Sequence, residues 1–274
     1  MILRLISAMG VVAVVTTAQP ASADETAPPP ASPGVPVTQD AQPWIKAASV
    51  ANDVQADVAS NGIRAVESHV SDMEAALAAG PQAFAAPTAG DGPAYVLTDG
   101  TAQTVAALGQ AIIQKTGRQT VAVSNPYPLI GLYLGSYYNE IGKYDDALRV
   151  LDAAIKLTAV PEMRLGEHLP YLISERGAAL QSLKRWLDAL ADYEDGLKLE
   201  NLKDRDRARL LRGKGFALTE LGSLDDAEQA YNDSLKFDPN NPLAVSELKY
   251  IARLRGGQSG TRPQLVLPNA PKSN

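Results

Sequence analysis

The sequence predicts an all-α protein built from consecutive helical hairpins. Two observations support this prediction. The helix formers Ala and Leu are abundant, whereas aromatic residues make up only 5% of the chain. In addition, one pattern of small and large residues recurs three times between residues 128 and 240. With 274 residues, the chain is long enough to bury a sizeable core in one or two domains.

Three segments, which begin at Pro128, Pro170 and Ala208, share this pattern. Small residues at fixed positions let two antiparallel helices approach closely, and large residues between them fill the space. The eighth position holds Gly135, Gly177 and Gly215; the twentieth holds Ala147, Ala189 and Ala227; the twenty-fourth holds Leu151, Tyr193 and Tyr231; and the twenty-seventh holds Ala154, Gly196 and Ser234.

This pattern resembles the tetratricopeptide repeat, in which L-G-x₂-Y is followed by A-x₃-F and then by P. The first segment contains Leu134-Gly135 and Tyr138, and the third ends with Pro239. Glycines at the eighth position lie 42 and then 38 residues apart, longer than the family period of about 34, which predicts longer helices or linkers. The resemblance implies three repeats over residues 127–255, closed by a capping helix that begins at Asn241-Pro242.

The resemblance also implies a function. In this family the first helices of successive repeats line a concave groove that binds a peptide or a partner helix. The spaced Lys/Asn clamp of chaperone-tail binders is absent, and the arginines and amides present suit an extended acidic or polar peptide. Mapped onto this sequence, the residues expected to contact a protein or peptide partner are Asn139, Tyr171, Gln181, Arg209, Arg212 and Phe216.

The N-terminal residues 1–23 predict a secretory signal peptide. Arg4 is their only charged residue, an apolar run extends from Leu5 to Val15, and Ala21-Ser22-Ala23 has the small-x-small pattern that precedes cleavage. The run of about eleven residues is too short to span a bilayer as a helix. We expect cleavage after Ala23, a periplasmic or secreted location and no membrane span in the mature chain. An uncleaved anchor or a buried N-terminal helix is the alternative.

Two further segments predict disordered chain. Residues 24–43 contain six prolines and little that could pack, which is typical of a spacer. Residues 256–274 form a tail of the same character. The tail includes one short apolar run, Leu265-Val266-Leu267, that could dock on the folded part of the protein, although disorder is the interpretation we favour.

Residues 44–126 form an N-terminal region of unclear role. A helix is predicted over 44–79, with a break at Asn61-Gly62. Its apolar stripe is either a coiled-coil seam in a dimer or, as we favour, the contact of an N-terminal cap with the repeats. The stripe consists of Ile63, Val66, Val70, Met73 and Leu77.

Two short apolar runs, at residues 95–97 and 120–123, flank a predicted helix over 101–115. A β-α-β fragment and a set of helices joined by extended linkers both remain open for this part of the chain, because two short strands alone rarely hold together.

Charge, cysteine content and motifs narrow the function further. The formal net charge of −6 disfavours nucleic acids and anionic membranes, and the absence of cysteine excludes disulfides and thiolate metal sites. His69 and His168 are the only histidines and form no ligand-spaced cluster. We therefore predict a non-catalytic interaction scaffold without metal or cofactor. The alternative is a small-ligand or enzymatic domain in residues 44–126 with the repeats as an accessory module. The sequence leaves the oligomeric state open.

Overall fold

The computed structural model describes residues 14–16, 42–83, 94–98, 120–158, 168–200 and 202–257. Most of these residues are helical, which confirms the all-α class, and a small sheet is present in addition. The helices are α1 (Gln42–Asn61), the 3₁₀ helix η1 (Ile63–His69), α2 (Val70–Ala83), α3 (Tyr127–Glu140), α4 (Tyr144–Thr158), α5 (Leu169–Ser182), α6 (Trp186–Leu197), α7 (Asp204–Glu220), α8 (Leu224–Phe237) and α9 (Pro242–Arg255). The chain divides into two compact units, Met1–Leu172 and Ile173–Asn274.

In the first unit, α1, η1 and α2 pack on the first repeat hairpin, formed by α3 and α4. Gly62, with a φ of 83°, separates α1 from η1 at the predicted break. Val66 and Met73 of the apolar stripe are fully buried, and Leu77 is nearly so. Three of the five stripe residues are therefore covered within this chain, whereas Ile63 and Val70 are half-buried. This burial favours the N-terminal cap over the coiled-coil seam.

The small sheet also belongs to the first unit. Strand β3 (Thr120–Ser124) lies between β1 (Val14–Thr16), to which it is antiparallel, and β2 (Ala94–Thr98), to which it is parallel. A parallel pair requires a crossover connection, as a β-α-β fragment has. The predicted helix over 101–115 lies outside the described residues.

Several sequence predictions fall wholly or partly outside the described residues: the signal peptide apart from β1, the spacer up to residue 41, and the tail after Gly257. Helix α1 begins at Gln42, two residues before the predicted start of this helix at residue 44. Cleavage after Ala23 would remove β1 and leave β3 paired with β2 alone.

The three predicted repeats are the hairpins α3–α4, α5–α6 and α7–α8. The turn in each hairpin contains one residue with a positive φ at the same repeat position: Gly142 (76°), Lys184 (58°) and Gly222 (81°). This left-handed conformation reverses the chain sharply and is most accessible to glycine. Lys184 therefore adopts a conformation in the second repeat that the other two repeats assign to glycine.

The glycines at the eighth position allow the helices of each hairpin to approach closely. A Cβ atom on Gly135 would come within 2.5 Å of the Leu151 side chain, and one on Gly215 within 2.9 Å of the Tyr231 ring. A Cβ atom on Gly177 would likewise collide with the ring of Tyr193. The recurring pair of a small eighth residue and a large twenty-fourth residue is thus one contact made three times.

The capping helix α9 begins as predicted. The Asn241 side chain accepts hydrogen bonds from the backbone N–H groups of Leu243 (3.1 Å) and Ala244 (3.3 Å), so it caps the helix N-terminus. Ala244 and Ile251 join the buried cluster that contains Leu218 and Tyr231 of the third hairpin. Helix α9 therefore covers the apolar side of that hairpin, as a capping helix must.

Candidate functional site

The best-defined candidate surface lies on α7 in the second unit. Arg209, Arg212 and Phe216 follow one another at intervals of three and four residues, so they share one face of the helix. All three side chains are half-buried. We call this surface the arginine face.

Arg212 is held by an acidic partner. Its Nη1 donates to Asp238 Oδ2 at 3.0 Å, and Asn241 Nδ2 donates to the same oxygen at 2.8 Å. Burial is the main cause that lowers the pKa of Arg212; the Asp238 charge raises that pKa, and the neighbouring Arg209 charge lowers it. Arg212 thus connects α7 to the turn before α9, and a bound partner would have to share or replace this ion pair.

Gln181 has a structural contact of its own. Its Nε2 donates to the carbonyl oxygen of Gly213 at 2.8 Å, which joins α5 to α7. Beside this contact the Tyr193 ring lies against both Gly177 and Gly213, either of which would collide with it if it carried a Cβ atom. The side chain of Tyr193 is 2% exposed. Gln181 therefore stabilises the packing of the second hairpin against the third, independently of any partner that it binds.

Phe216 lies beside Trp186, with ring centroids 6.1 Å apart and planes tilted by 47°. Leu187, the next residue along α6, is 69% exposed. Trp186 is not among the predicted contact residues, because these all lie on the first helix of a repeat, whereas Trp186 begins a second helix. Its rarity was an available signal, since the chain contains only two Trp residues.

Asn139 and Tyr171 belong to the first unit. Asn139 is half-buried near the end of α3, and its carbonyl oxygen accepts a hydrogen bond from Gly142 N at 3.2 Å. Tyr171 is half-buried in the first turn of α5. Their role in partner binding stays a prediction.

The opposite face of α7 contributes to an open groove of about 330 Å³. Successive helical residues are rotated by about 100°, so Leu211, Lys214 and Leu218 point away from the arginine face. Helices α6 and α8 supply three carboxylates to this groove, and we call it the acidic groove. Its lining residues are Glu194, Leu211, Lys214, Leu218, Asp226, Gln229, Ala230 and Asp233.

The acidic groove is not among the predicted sites, because the family resemblance implies partner contacts on the other side of the first helices. Lys214 Nζ pairs with Glu194 Oε1 at 2.9 Å, and Lys236, outside the groove, pairs with Asp233 at 2.6 Å. Asp226 has no ion pair among the described residues. The residues that line the groove therefore carry a net negative charge, and the floor of the groove is apolar.

The described residues show no group of His, Cys, Asp and Glu that could hold a metal ion. His69 Nε2 lies 3.0 Å from Asp57 Oδ2, where it joins the end of η1 to α1. In the part of the chain that the structure describes, no helix is long and apolar enough to cross a membrane.

Comparison with known proteins finds similarity to two yeast heat shock proteins. The chain is 33% identical over 124 residues to heat shock protein STI1 of Saccharomyces cerevisiae and 40% identical over 87 residues to the sti1 homologue of Schizosaccharomyces pombe. These matches span 45% and 32% of this chain. The three hairpins each repeat one small-to-large contact. They have the tetratricopeptide-repeat fold.

The likeness has clear limits. No family model matches this tetratricopeptide array. The chain covers only 19% and 14% of the length of the two yeast proteins. Among solved structures, it resembles the first TPR domain of human RPAP3 (TM-score 0.42, 24% identity, 48% of this chain and 94% of that one). It also resembles the first TPR of Spaghetti (RPAP3) bound to the HSP90 peptide SRMEEVD (TM-score 0.40, 25% identity, 47% and 94%). At these TM-scores the two likenesses support no further conclusion.

Proposed function

We propose that this protein is a non-catalytic scaffold that binds a protein or peptide partner through its tetratricopeptide array. In the second unit the arginine face of α7, with Gln181 of α5, is the proposed centre of contact. In the first unit Asn139 and Tyr171 are the proposed contact residues. The observation that supports this proposal most directly is the Trp186–Phe216 ring pair at the surface of the second unit.

Aromatic and arginine side chains dominate the binding energy of protein interfaces when a partner removes them from water. Phe216 and Trp186 are half-buried rather than enclosed, and Leu187 beside them is largely exposed. Arg209 adds positive charge on the same face as Phe216. This combination suits a segment with an apolar anchor and an acidic group.

The predicted signal peptide supports the further proposal that the partner is met in the periplasm or outside the cell. Mass spectrometry of the protein from its native envelope tests this directly. A mature N-terminus at Asp24 is the expected result, and a retained Met1 peptide would contradict export with cleavage.

Partner binding is tested by crosslinking the tagged full-length protein in its native envelope and identifying the captured proteins. The test variant combines Leu187→Glu with Phe216→Ala. The matched control is Leu221→Glu, because Leu221 at the end of α7 is also exposed, at 37%, and by helical periodicity lies on the side away from the arginine face.

We expect a specific partner that both the wild type and the control capture and that the test variant loses. Gln181 and Arg212 are unsuitable for the first test because each has a structural contact, so their loss would mix binding with stability. If the test variant captures the same proteins as the wild type, the arginine face is not the binding surface.

A further inference from the structure

The central strand of the small sheet, β3, pairs with a different part of the chain on each of its edges. On one edge it is parallel to β2. On the other it is antiparallel to β1, with Val15 opposite Val121 and Thr16 opposite Thr120. Strand β1 lies within the predicted signal peptide, residues 1–23. Removal of the signal peptide would therefore leave this second edge of β3 unpaired among the strands that the structure describes.

The first repeat hairpin fixes one end of β3 in place. Asn125 directly follows the strand and is only 6% exposed. Its Nδ2 donates to the carbonyl oxygen of Leu157 in α4 at 3.0 Å, and its Oδ1 accepts from the backbone N–H of Tyr127 in α3 at 3.1 Å. Because this end of β3 is already held, less conformational freedom is lost when its open edge pairs with a new strand.

The residues of β3 offer no protection against such pairing. Soluble proteins usually guard an exposed strand edge with charges, a proline or a bulge. Residues 120–124, with the sequence TVAVS, contain neither a charge nor a proline. Their pairing with β2 runs through five consecutive residues without a bulge. Valine and threonine also favour extended backbone. The open edge is therefore suited to bind another strand.

The sequence of β3 indicates which strand that is, because TVAVS is nearly symmetric about Ala122. Two copies in antiparallel register about this residue place Val121 opposite Val123, Thr120 opposite Ser124, and Ala122 opposite itself. Like residues thus face like residues, as they do where β1 now pairs with β3. A two-fold axis through Ala122 makes the same contact for both copies and closes the assembly at a dimer.

We propose that two copies of the processed protein pair through β3, antiparallel about Ala122, and form a four-stranded sheet in the order β2–β3–β3–β2. In the precursor β1 occupies the same edge, so the signal peptide keeps the chain monomeric until it is removed. The inference rests on the proposed export with cleavage after Ala23, and it is independent of partner binding at the arginine face.

The full-length protein permits a test that does not depend on cleavage in the cell. The displaced variant combines Val14→Pro with Val15→Pro. Successive N–H groups of a strand point to opposite edges, so one of the two prolines removes an N–H that faces β3. The matched control combines Val11→Pro with Val12→Pro, which makes the same change just before β1. Sedimentation equilibrium over a range of protein concentrations gives the mass of each variant.

We expect the wild type and the control to remain monomeric, whereas the mass of the displaced variant should rise with concentration to that of a dimer. Circular dichroism verifies that each variant is folded. A displaced variant that stays monomeric, or a wild type that dimerises equally well, would overturn the proposal. A retained Met1 in the native envelope would contradict export instead, so the two failures are distinguishable.

The register is tested by adding either Ala122→Lys or Ala122→Glu to the displaced variant. Each change alone places two like charges directly opposite each other and should weaken the dimer by about fivefold. An equimolar mixture of the two should restore dimerisation, because lysine then faces glutamate. Equal dimerisation of both variants and their mixture would overturn the register. A monomeric displaced variant that binds a peptide of residues 11–18 would overturn self-pairing, by assigning the edge to a strand of another protein.

Discussion

The ring of Tyr193 shows how single residues fix the spacing of this array. It lies against Gly177 of its own hairpin and Gly213 of the next, and burial raises the pKa of its hydroxyl. The second contact has no counterpart in the repeat pattern, because Gly213 is not one of the recurring small positions. A glycine outside the repeat pattern is therefore required for the two hairpins to meet.

Gly213→Ala should destabilise the protein by about 1–3 kcal/mol, because the new methyl group would overlap the rigid Tyr193 ring. This outcome opposes the usual gain of about 1 kcal/mol when alanine replaces glycine inside a helix. Urea denaturation measures the difference. Gly256→Ala is the matched control, since a Cβ there would meet only backbone oxygens at 3.4 and 3.6 Å, and its effect should stay within about 0.5 kcal/mol.

Lys184 provides a second test at the residue scale. Because its φ of 58° is unfavourable for a residue with a side chain, Lys184→Gly should stabilise the protein by about 0.5–1 kcal/mol, after allowance for the added freedom of glycine in the unfolded chain. Arg185→Gly, at the adjacent residue with a φ of −87°, should destabilise it. Thermal unfolding of both variants distinguishes backbone strain from a general effect of glycine in this turn.

At the scale of elements, the contact between α2 and the first hairpin centres on Glu74. Its Oε1 accepts hydrogen bonds from Arg149 (2.6 Å) and from the Tyr138 hydroxyl (2.8 Å). The Arg149 hydrogen bond is the main cause that lowers the pKa of Glu74 below its ordinary value of 4.5. One carboxylate thus links α2 to both helices of the hairpin, although Arg149 is 56% exposed and solvent weakens its share.

Glu74→Gln should lower the free energy of unfolding by about 1 kcal/mol at neutral pH. Because the folded protein holds Glu74 ionised to lower pH than the unfolded chain does, this contribution is present above the ordinary pKa of 4.5 and is lost as the pH falls through the lower folded value. The difference in free energy of unfolding between the wild type and Glu74→Gln should therefore become smaller at acidic pH. Glu67→Gln, on the exposed side of η1, is the control; a loss that does not vary with pH would contradict the electrostatic explanation.

On the scale of the whole molecule, the first unit has a core rich in tyrosine. Burial raises the pKa values of Tyr127, Tyr133 and Tyr138 from 10.0 to about 12. The folded state therefore holds these phenolic protons more tightly than the unfolded state does. The associated stability is complete below pH 10 and is lost as the pH rises towards about 12.

The free energy of unfolding should accordingly fall steeply between about pH 10 and pH 12, over and above the loss due to lysine deprotonation. Tyr133→Phe removes one of the three groups and should make this decline shallower. Phenolate absorbance during the titration reports ionisation in the same samples. An identical slope for wild type and Tyr133→Phe would contradict the assignment.

The sequence by itself determined the helical class, the three hairpins and the cap. Gly135 and Ala147 in the first repeat, and their equivalents in the others, can be read from spacing because helical periodicity is a local property. The break at Gly62 and the capping role of Asn241 were readable for the same reason. These features depend on residues close together in the chain.

Only the tertiary structure decided which side chains meet at the candidate surfaces. It joined Arg212 to Asp238 and Gln181 to Gly213, paired Phe216 with Trp186, and placed Asp226 and Glu194 on one groove. These partners lie 26 and more residues apart, with 30 between Trp186 and Phe216. No periodic pattern brings them together, because such contacts depend on how each helix is rotated against its neighbours by the packing of the core.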